Sequence, residues 1–535
     1  MKRRPVPILV GAGQYTQRKN ASPALDPLGL MIKASLVALA DTGSHNLRSV
    51  IDTVCVINSF SRDDENLPIA LSGAMGLSPT SVIYSQIGGN SPQMMVNHVA
   101  RDIAAGRRRA ALLAGAESVY SMHKAAGGKQ TAIDWPDNVT LRHLRERNLP
   151  VNFDTLLRSG CRHEKDILTA AGLTYQEVNN HIEDAYDLFL PHLMYPFFET
   201  ALRHLSERSV SEHRDYIGRR YERFSNVARQ NPYAWIRKKF TADEFMTAAP
   251  HNRYVVYPYT VRVMANINVD QSAALIMMND ADADVLGIDR SRWVYPMGGA
   301  ELSHIWHVTE RPRLYDSPPI SESARLALAQ SGLTLSDIGA FDLYSCFPSA
   351  VEISRQAIGI PEDDPRDLTV TGGLAQFGGP GNNYTMHAIA SLVERIRNDR
   401  SLKAMVTANG WYNSKHAIGI YGAEPPDHPW EDRDDSSVQK AIDAEALPAP
   451  VERAGGILTI EAYIIRYDQE GKAERATVIG HLENGKRALA DITAGNNDLR
   501  HFEEFELVGK RGNVCYDTIA GRNKVTLFPM DEGKN

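Results

Sequence analysis

Short apolar runs alternate with amphipathic stretches along the first part of the chain. Residues 6–12, VPILVGA, form a continuous apolar run of the kind found in strands buried on both faces. Residues 26–43 are typical of a helix, because Asp26 can cap its start and Gly43 can end it. The alternation continues with apolar runs at 51–60, 81–87 and 109–118 and a helical stretch at 91–106. This order predicts an α/β fold with a largely parallel sheet.

Two stretches of the chain repeat the same order of elements. A glycine-rich turn, a helix, a polar link and a buried strand follow one another in residues 88–118 and again in residues 378–410. The helix endings ALADTG at 38–43 and ALAQSG at 327–332 form a second matched pair. We interpret the pattern as an internal duplication of an α/β half-domain, although all α/β units share part of this order. The duplication predicts that the two glycine-rich turns face one pocket.

The alternation breaks twice. Residues 120–255 are helical, basic and aromatic, and they are too long for a simple connection, so they predict a helical insertion that covers a substrate site. Residues 423–450 are proline-rich and acidic at their start, which is typical of a linker. From 451 to 535 apolar and polar residues alternate, and DQEGK and ENGK mark hairpin turns. The sequence therefore predicts an α/β core at 1–119 and 256–422, followed after the linker by a small antiparallel β-barrel of the oligonucleotide/oligosaccharide-binding (OB) type.

Composition narrows the range of partners and compartments. The chain of 535 residues carries a net charge of -7, which argues against nucleic acid as a partner. Its four cysteines are far apart and show no CxxC spacing, so neither a disulfide framework nor a metal site is expected. The first apolar run is too short for a secretory signal, and no run reaches the ~20 residues of a membrane span. We expect a cytoplasmic protein with reduced thiols.

The turn GGNSPQ at 88–93 stands at a predicted helix start. Free N–H groups and the positive end of the helix dipole can stabilise an oxyanion, bind a phosphate or activate a nucleophile there. Asn90 and Ser91 lie at this position, but the turn contains no cysteine, lysine or histidine. The simpler alternative is that both residues only cap the helix.

Three further residues are candidates for function, two of them at the ends of predicted strands, where α/β proteins place functional groups. Cys346 ends a strand, and its thiol can act as an acid, a base or a nucleophile if its pKa is tuned. The alternative is an inert buried thiol. His387 lies about one turn into the helix after the glycine-rich stretch 372–381, and Asn409 follows a buried strand. Each of these two either faces a ligand or only packs in the core, and no complete dinucleotide or P-loop signature accompanies them.

The predicted insertion carries arginines interleaved with aromatic residues. Arg219, Arg220 and Arg223 are neighbours in sequence of Tyr221 and Phe224. Guanidinium groups and aromatic rings suit contacts with phosphate and adenine. The alternative is an ordinary charged helix face in solvent.

Together these stretches resemble the thiolase superfamily, and within it the sterol-carrier-protein-type thiolases and their thiolase-like relatives, over about residues 5–422. The matching segments are GGNSPQMMVNHVARDIAAG, AGAES, NINVDQSAAL, YSCF, GGLAQFGGP and TANG. The resemblance implies a duplicated thiolase fold with layers in the order αβαβα, a helical loop-domain insertion and acyl-CoA substrates. Coenzyme A would enter as part of the substrate, with no permanently bound cofactor and no metal.

Thiolases acylate a cysteine at a helix start, activate it with the histidine of a GHP motif, and use a second cysteine as acid and base. In this sequence the resemblance places Asn90 at the nucleophile, Gly379 at the GHP histidine and Ala408 in the C-terminal cysteine motif. YSCF matches the family's HDCF, so Cys346 is kept and Tyr344 replaces the histidine. Ordinary thiolysis is therefore expected to be lost, because an amide cannot form a thioester and glycine cannot accept a proton.

The resemblance implies an acetyl-CoA acetyltransferase-like protein of lipid metabolism that handles acyl-CoA thioesters. The remaining reagents would be Cys346, Tyr344 and His387. Residues expected to contact the ligand are Ser91, Arg219, Arg220, Arg223, Asn382 and Asn409. Two alternatives stay open: a non-catalytic acyl-CoA or lipid-binding protein, and a subunit of an aldolase-like complex that cleaves carbon–carbon bonds and docks a partner through the barrel. Both a monomer and a homodimer are compatible with the sequence.

Overall fold

The computed structural model describes residues 4–126, 135, 138–158, 160–161, 177–494 and 499–529. Numbered along the chain, the strands are β1 (Pro7–Thr16), β2 (Thr53–Val56), β3 (Ser81–Tyr84), β4 (Ala110–Ser118), β5 (Tyr254–Tyr257), β6 (Tyr259–Thr260), β7 (Asp270–Asn279), β8 (Tyr295–Ser303), β9 (Ala340–Asp342), β10 (Ala404–Gly410), β11 (Lys415–Gly422), β12 (Gly456–Tyr467), β13 (Ala473–Leu482), β14 (Arg487–Ile492), β15 (Arg511–Asp517) and β16 (Arg522–Leu527). The helices are α1 (Pro27–Asp41), α2 (Leu67–Ala74), α3 (Ser91–Ala104), α4 (Val119–Ala126), α5 (Val139–Glu146), α6 (His181–Ala185), α7 (Pro191–Leu205), α8 (Val210–Gln230), α9 (Ala242–Met246), α10 (Asp280–Val285), α11 (Pro318–Ser331), α12 (Pro348–Ile358), α13 (Gly373–Gln376), α14 (Tyr384–Asn398) and α15 (Ser436–Asp443).

Two sheets of the core have matching strand orders. The first runs β1-β7-β4-β2-β3, and the second runs β8-β11-β10-β9. In the first sheet β2 is parallel to β3 and β4, and β7 is antiparallel to β1 and β4. In the second sheet β9 is parallel to β10, and β11 is antiparallel to β10 and β8. The two orders agree strand for strand once β3 is set aside, as an internal duplication predicts.

The expectation of a largely parallel sheet is wrong for both sheets, because each mixes parallel and antiparallel pairs. β10 and β11 are joined by residues 411–414 alone, and so short a link can connect only antiparallel strands. β7 is buried along its whole length. A strand buried on both faces gives a continuous apolar run in either direction, so its sequence does not reveal the direction in which it pairs.

Helices α3 and α14 lie between the two sheets. Both contact β1 and β7 of the first sheet and β10 and β11 of the second. Helix α1 packs on β1, β4 and β7, and α11 packs on β8 and β11. In α3 the buried residues Val96, Val99 and Ile103 recur every three or four positions, as expected of a helix with an apolar face. These contacts give the layers αβαβα that the resemblance implied.

The chain between β4 and β5 contains α4 to α9 and no strand among its described residues, which confirms the helical insertion. Its longest helix, α8, begins with a capping box between Ser209 and Glu212. Tyr221, Phe224 and Ala228 are buried and recur at helical spacing. This face of α8 therefore packs on the core, whereas the proposed limits 120–255 and 423–450 of the insertion and the linker stay predictions.

Strands β12 to β16 close into a five-stranded barrel. Its neighbours follow the ring β12-β13-β14-β16-β15 and back to β12, and β14 and β16 form its one parallel pair. The predicted turns DQEGK and ENGK connect β12 to β13 and β13 to β14, with Gly471 and Gly485 at positive φ. The structure therefore confirms an OB-like barrel.

The barrel is joined to the insertion by buried polar contacts. Arg203 of α7 is 2 % exposed and donates to the hydroxyls of Tyr463 at 2.9 Å and Tyr257 at 3.2 Å. The same guanidinium pairs with Glu506 at 2.9 Å. Strand β5, at the end of the insertion, pairs with β12. In the part of the chain that the structure describes, no helix is both long and apolar enough to cross a membrane.

Candidate functional site

The two glycine-rich turns meet where α3 and α14 begin. The Gly88 N–H donates to the side-chain oxygen of Asn382 at 2.9 Å, and the Asn382 amide donates to the Asn58 carbonyl at 3.0 Å. The Thr385 hydroxyl donates to the Gly89 carbonyl at 3.3 Å. The duplicated turns are therefore in direct contact, and the side chain of Asn382 links them by hydrogen bonds.

Asn90 occupies the cap position of α3 but makes no side-chain capping bond. It is 5 % exposed, and its amide N–H group faces Met94 Sδ at 3.9 Å. Its Oδ1 is buried without a hydrogen-bond partner among the described residues. Gly88, at φ 148°, leaves the space for this oxygen, and a Cβ there would overlap it. Asn90 thus does not act as an ordinary cap.

Ser91 uses the proton of its hydroxyl inside the turn that precedes α3. Its Oγ donates to the Gln86 carbonyl at 2.8 Å, and the residue is 1 % exposed. Only the acceptor lone pairs of this hydroxyl are left for a ligand, and a contact between Ser91 and a ligand stays a prediction.

Cys346 lies between β9 and the start of α12, as its position after a predicted strand suggested. Burial raises the pKa of its thiol to about 12, and the Tyr195 hydroxyl partly opposes that rise because it favours the thiolate. At neutral pH the group is a thiol, which suits a proton donor better than a nucleophile.

The Tyr195 hydroxyl stands at the centre of a polar cluster. It accepts from the Asn409 side-chain amide and from the Asn413 N–H, each at 2.9 Å, and it donates to the Trp411 carbonyl at 2.9 Å. The one phenol proton is therefore used in the hydrogen bond to the Trp411 carbonyl. Trp411 and Asn413 have positive φ values of 57° and 58°, so this turn is strained.

Tyr344 lies directly over the turn that precedes α3. A Cβ on Gly89 would overlap the Tyr344 hydroxyl and would approach the Asn409 carbonyl to 2.5 Å. The Tyr344 N–H donates to the Thr407 hydroxyl at 2.8 Å, which holds the segment against β10. Burial keeps the pKa of its phenol above the usual range. Tyr344 is therefore a neutral group that approaches the turn of Asn90.

His387 faces another part of the core. Its Nδ1 lies 2.9 Å from the Gln14 Oε1 of β1, and its ring packs edge-on against Phe377 at 5.1 Å. Burial lowers its pKa to about 3, so the ring is neutral. These contacts argue against its expected role beside Cys346. Its position one turn into α14 suggested that His387 lies near the glycine-rich turn, but its side chain points toward Gln14 of β1.

Gly379 and Ala408, which the resemblance matches to a histidine and a cysteine of thiolases, carry no reactive group. Gly379 donates its N–H to the Asn266 carbonyl at 2.8 Å, and a Cβ there would meet Leu374 Cδ2 at 3.4 Å, an ordinary contact. Ala408 is 1 % exposed and is paired with Ala417 inside the second sheet. The backbone conformation at Gly379 does not require a glycine, because its φ is not positive, and Ala408 lies in a regular strand.

Arg219, Arg220 and Arg223 line one cleft of about 680 Å³. Each pairs with a carboxylate: Arg219 with Asp215 at 2.6 Å, Arg220 with Glu352 at 2.9 Å and Arg223 with Asp367 at 3.0 Å. The charged residues that line the cleft are Glu207, Arg208, Glu212, Asp215, Arg219, Arg220, Arg223, Glu362, Asp363 and Asp364. Because acids outnumber arginines there, the cleft favours the alternative of a charged helix face, and a contact between these arginines and a ligand stays a prediction.

Tyr195 and Tyr221, two phenols of the insertion whose pKa values a charge on Cys346 would raise, were not identified as site residues from the sequence. Tyr195 lies in the aromatic run LMYPFFE, which resembles an ordinary buried helix. Tyr221 belongs to the helix with the arginines, and its hydroxyl is buried without a partner in the described part of the chain. The alternating aromatic and arginine residues of α8 were the available signal for Tyr221.

Comparison with known proteins places this geometry in a family. Residues 437–518 match the thiolase-like protein type 1 additional C-terminal domain. A monomeric SCP2-thiolase like protein type 1 from Mycobacterium smegmatis is 30 % identical, with 99 % of this chain and 100 % of that chain aligned at a TM-score of 0.80. The Ltp2-ChsH2(DUF35) aldolase shares the fold at 18 % identity, over 78 % of this chain and 97 % of that chain, with a TM-score of 0.55.

Rabbit (Oryctolagus cuniculus) sterol carrier protein 2 is 22 % identical over 184 residues, which are 31 % of this chain. The match likewise spans 31 % of the rabbit protein's length. The mycobacterial relative, by contrast, aligns from end to end and includes the barrel. The chain therefore belongs to the SCP2-thiolase-like proteins of type 1.

Proposed function

We propose that the protein binds acyl-CoA thioesters between its two glycine-rich turns and does not form a covalent acyl-enzyme. The position of Asn90 carries this proposal. The residue stands at the start of α3, and its buried Oδ1 has no partner among the described residues. A carboxamide can hold a ligand by hydrogen bonds, but it cannot be acylated as a thiolase cysteine is. Coenzyme A would again be part of the ligand and not a resident cofactor.

Other polar atoms around Gly410 support binding. A Cβ on Gly410 would approach the Asn90 Oδ1 to 2.6 Å, so this oxygen lies against the end of β10. The Oδ1 of Asn409, the preceding residue, is also buried and lacks a partner in the described residues. Buried polar groups are normally satisfied, and unsatisfied ones are found where a ligand or water binds. Each of these two acceptor oxygens favours a ligand that carries a hydrogen-bond donor, as the pantetheine amides of an acyl-CoA do.

The second candidate is catalysis through Cys346, either acyl transfer or a retro-Claisen or aldol cleavage. The protonated state of its thiol at neutral pH favours this candidate, because the thiol offers a proton at one position of the site. The loss of a base at Gly379 argues against ordinary thiolysis. The fold shared with the Ltp2-ChsH2(DUF35) aldolase keeps a carbon–carbon cleaving complex, with a partner docked on the barrel, as a variant of this candidate.

The test is a titration of the purified protein with CoA, acetyl-CoA and longer acyl-CoA thioesters by calorimetry, followed by intact-mass analysis. We expect binding of at least one thioester without an acyl mass increase. The matched variant Asn90→Cys places a thiol at the helix start and should gain the mass of one acyl group. Acylation of the unmodified protein, or no binding of any thioester, would contradict the proposal.

A Cys346→Ala variant separates the two candidates. If the protein only binds, the variant should keep the thioester affinity within about twofold, since a neutral thiol contributes little more than its volume. If Cys346 supplies a proton to a reaction, the variant should bind normally and lose turnover by a factor of about 10² or more.

A further inference from the structure

Lys415 reaches from the second sheet to the first glycine-rich turn. The residue begins β11, where it pairs with Gly410 at the end of β10. Its Nζ donates a hydrogen bond to the carbonyl of Ile87, the residue before Gly88. A Cβ on Gly88 would approach the Cε of Lys415 to 3.0 Å and its Nζ to 3.3 Å. The lysine side chain therefore lies along the turn that carries Asn90.

The ammonium of Lys415 is a close neighbour of the Asn90 Oδ1, which lacks a partner among the described residues. The same Cβ position on Gly88 lies 2.3 Å from this oxygen and 3.3 Å from Lys415 Nζ. The two atoms can be no farther apart than the sum of these distances. A Cβ on Gly410 would likewise meet the Asn90 oxygen at 2.6 Å and Lys415 Cε at 3.4 Å. A positive charge and a hydrogen-bond acceptor thus share the start of α3, where the helix dipole adds to the positive potential.

The lysine is also the more accessible of the two residues. Lys415 is half-buried, whereas Asn90 is only 5 % exposed. The Nζ of Lys415 lies 6.0 Å from the ring centroid of Trp306, which is half-buried as well. An aromatic face supports a cation without neutralising its charge. A ligand that reaches Asn90 therefore approaches a cation at the same time.

An acyl-CoA carries groups that match both atoms. The thioester carbonyl oxygen is an acceptor, so the side-chain oxygens of Asn90 and Asn409 cannot bind it. The nearest pantetheine amide, two carbons beyond the thioester sulfur, has an N–H group that suits the Asn90 oxygen. The carbonyl oxygen suits the ammonium of Lys415, because a charged donor forms shorter and stronger hydrogen bonds than a neutral one.

We propose that the Lys415 ammonium binds the carbonyl oxygen of the thioester beside the Asn90 oxygen. This inference rests on the proposed function, in which an acyl-CoA lies between the glycine-rich turns. The attraction depends on the position of the charge, so the bond to Ile87 and other contacts of the ammonium do not abolish it. Two explanations compete with the proposal: Lys415 only supports the turn through Ile87, or the Tyr344 hydroxyl is the donor to the carbonyl.

Acetyl-CoA and S-ethyl-CoA test the proposal, because they differ only in a CH2 group in place of the carbonyl. Calorimetry should show that Lys415→Met weakens acetyl-CoA binding about tenfold, the value of one charge-assisted hydrogen bond, and changes S-ethyl-CoA binding less than twofold. Equal losses for both ligands, or an unchanged affinity ratio, would overturn the proposal. A loss of selectivity in Tyr344→Phe but not in Lys415→Met would assign the carbonyl to Tyr344 and would overturn it too. Failure of both ligands to bind the unmodified protein would instead refute the proposed function.

A second measurement detects the charge without CoA. In Asn90→Cys a cation beside the introduced thiol attracts the anionic reagent iodoacetate but not the neutral iodoacetamide. Adding Lys415→Met should lower the ratio of the two alkylation rates about threefold, and adding Lys415→Arg should keep it. Lys403→Met is the matched control, because Lys403 is a half-buried lysine that precedes β10 and pairs with Glu424, and it should leave this ratio unchanged. A ratio that does not respond to Lys415→Met would overturn the proposal, whereas a thiol that reacts with neither reagent would contradict ligand access and with it the proposed function.

Discussion

The side-chain oxygen of Asn382 accepts the backbone N–H of Gly88 at 2.9 Å, across 294 residues of sequence. This bond joins the two halves of the duplicated core at the point where α3 and α14 begin. Asn90 stands at the start of α3, and Gly379 lies in the turn before α14. The resemblance to thiolases predicts that these two residues occupy the positions of the nucleophile and of the histidine that activates it, and this correspondence stays a prediction.

Removing the side-chain amide of Asn382 should destabilise the core. We expect Asn382→Ala to lower the free energy of unfolding by about 2–3 kcal/mol, because the buried Gly88 N–H and Asn58 carbonyl both lose their partner. Urea unfolding measures the change. Asn484→Ala, in the exposed hairpin between β13 and β14, is the control and should cost less than about 0.5 kcal/mol. Equal effects of the two variants would contradict the role given to Asn382.

The thiol of Cys346 should react slowly with iodoacetamide. Its pKa of about 12 leaves only about one thiolate in 10⁴ at pH 8, and the rate should rise about tenfold per pH unit up to pH 10. Cys515 is exposed and provides the internal control in the same digest. Tyr195→Phe should slow the reaction further, since it removes a hydroxyl that lowers the pKa of the thiol. Peptide mass spectrometry measures both rates, and equal labelling of the two cysteines at pH 8 would refute the expectation.

The buried carboxyl of Glu117 should make stability depend on pH. It accepts from the N–H groups of Phe60 and Ser61 at 2.8 and 2.9 Å, yet burial raises its pKa from 4.5 to about 7. In that range the unfolded chain binds fewer protons than the folded one, so stability falls as the pH rises from 4.5 to 7 and then levels off. The loss is on the order of 3 kcal/mol.

Glu117→Gln removes this titration while keeping a similar shape. Unfolding in urea at several pH values should give a flatter dependence between pH 4.5 and 7 for the variant than for the unmodified protein. The difference between the two curves isolates Glu117 from the other carboxyl groups. Parallel curves would show that Glu117 is ionised in the folded protein well below pH 7.

The barrel junction should depend on one buried arginine. Arg203→Met leaves Glu506 and two tyrosine hydroxyls without their donor, and we expect a loss of about 2–4 kcal/mol in the free energy of unfolding. Arg219→Met is the control, because Arg219 is 75 % exposed in its side chain and its pair with Asp215 should be worth less than about 1 kcal/mol. Similar melting temperatures for the two variants would contradict the role of Arg203.

Local patterns in the sequence predicted the elements of this fold better than the contacts between them. The turns between β12 and β13 and between β13 and β14 require a positive φ, which glycine adopts without strain. Gly471 and Gly485 therefore made these barrel hairpins predictable from the sequence. The carboxylates that pair with Arg220 and Arg223 lie more than 100 residues further along the chain, and no local sequence pattern predicts these ion pairs. Tyr195 meets Cys346 through the insertion for the same reason: tertiary packing, and not periodicity, brings them together.

The site should regain covalent chemistry when its two reagents are restored. A Cβ at Gly379 makes only ordinary contacts, and its φ lies outside the left-handed region, so Gly379→His should fold normally. In the double variant Asn90→Cys/Gly379→His the imidazole can deprotonate the introduced thiol, which should speed acylation by acetyl-CoA about 10²-fold over Asn90→Cys alone. Intact-mass kinetics measure both rates, and Asn90→Cys/Gly379→Ala is the control for added bulk. If the double variants acylate equally fast, position 379 does not face the helix start, and the correspondence with the thiolase histidine is wrong.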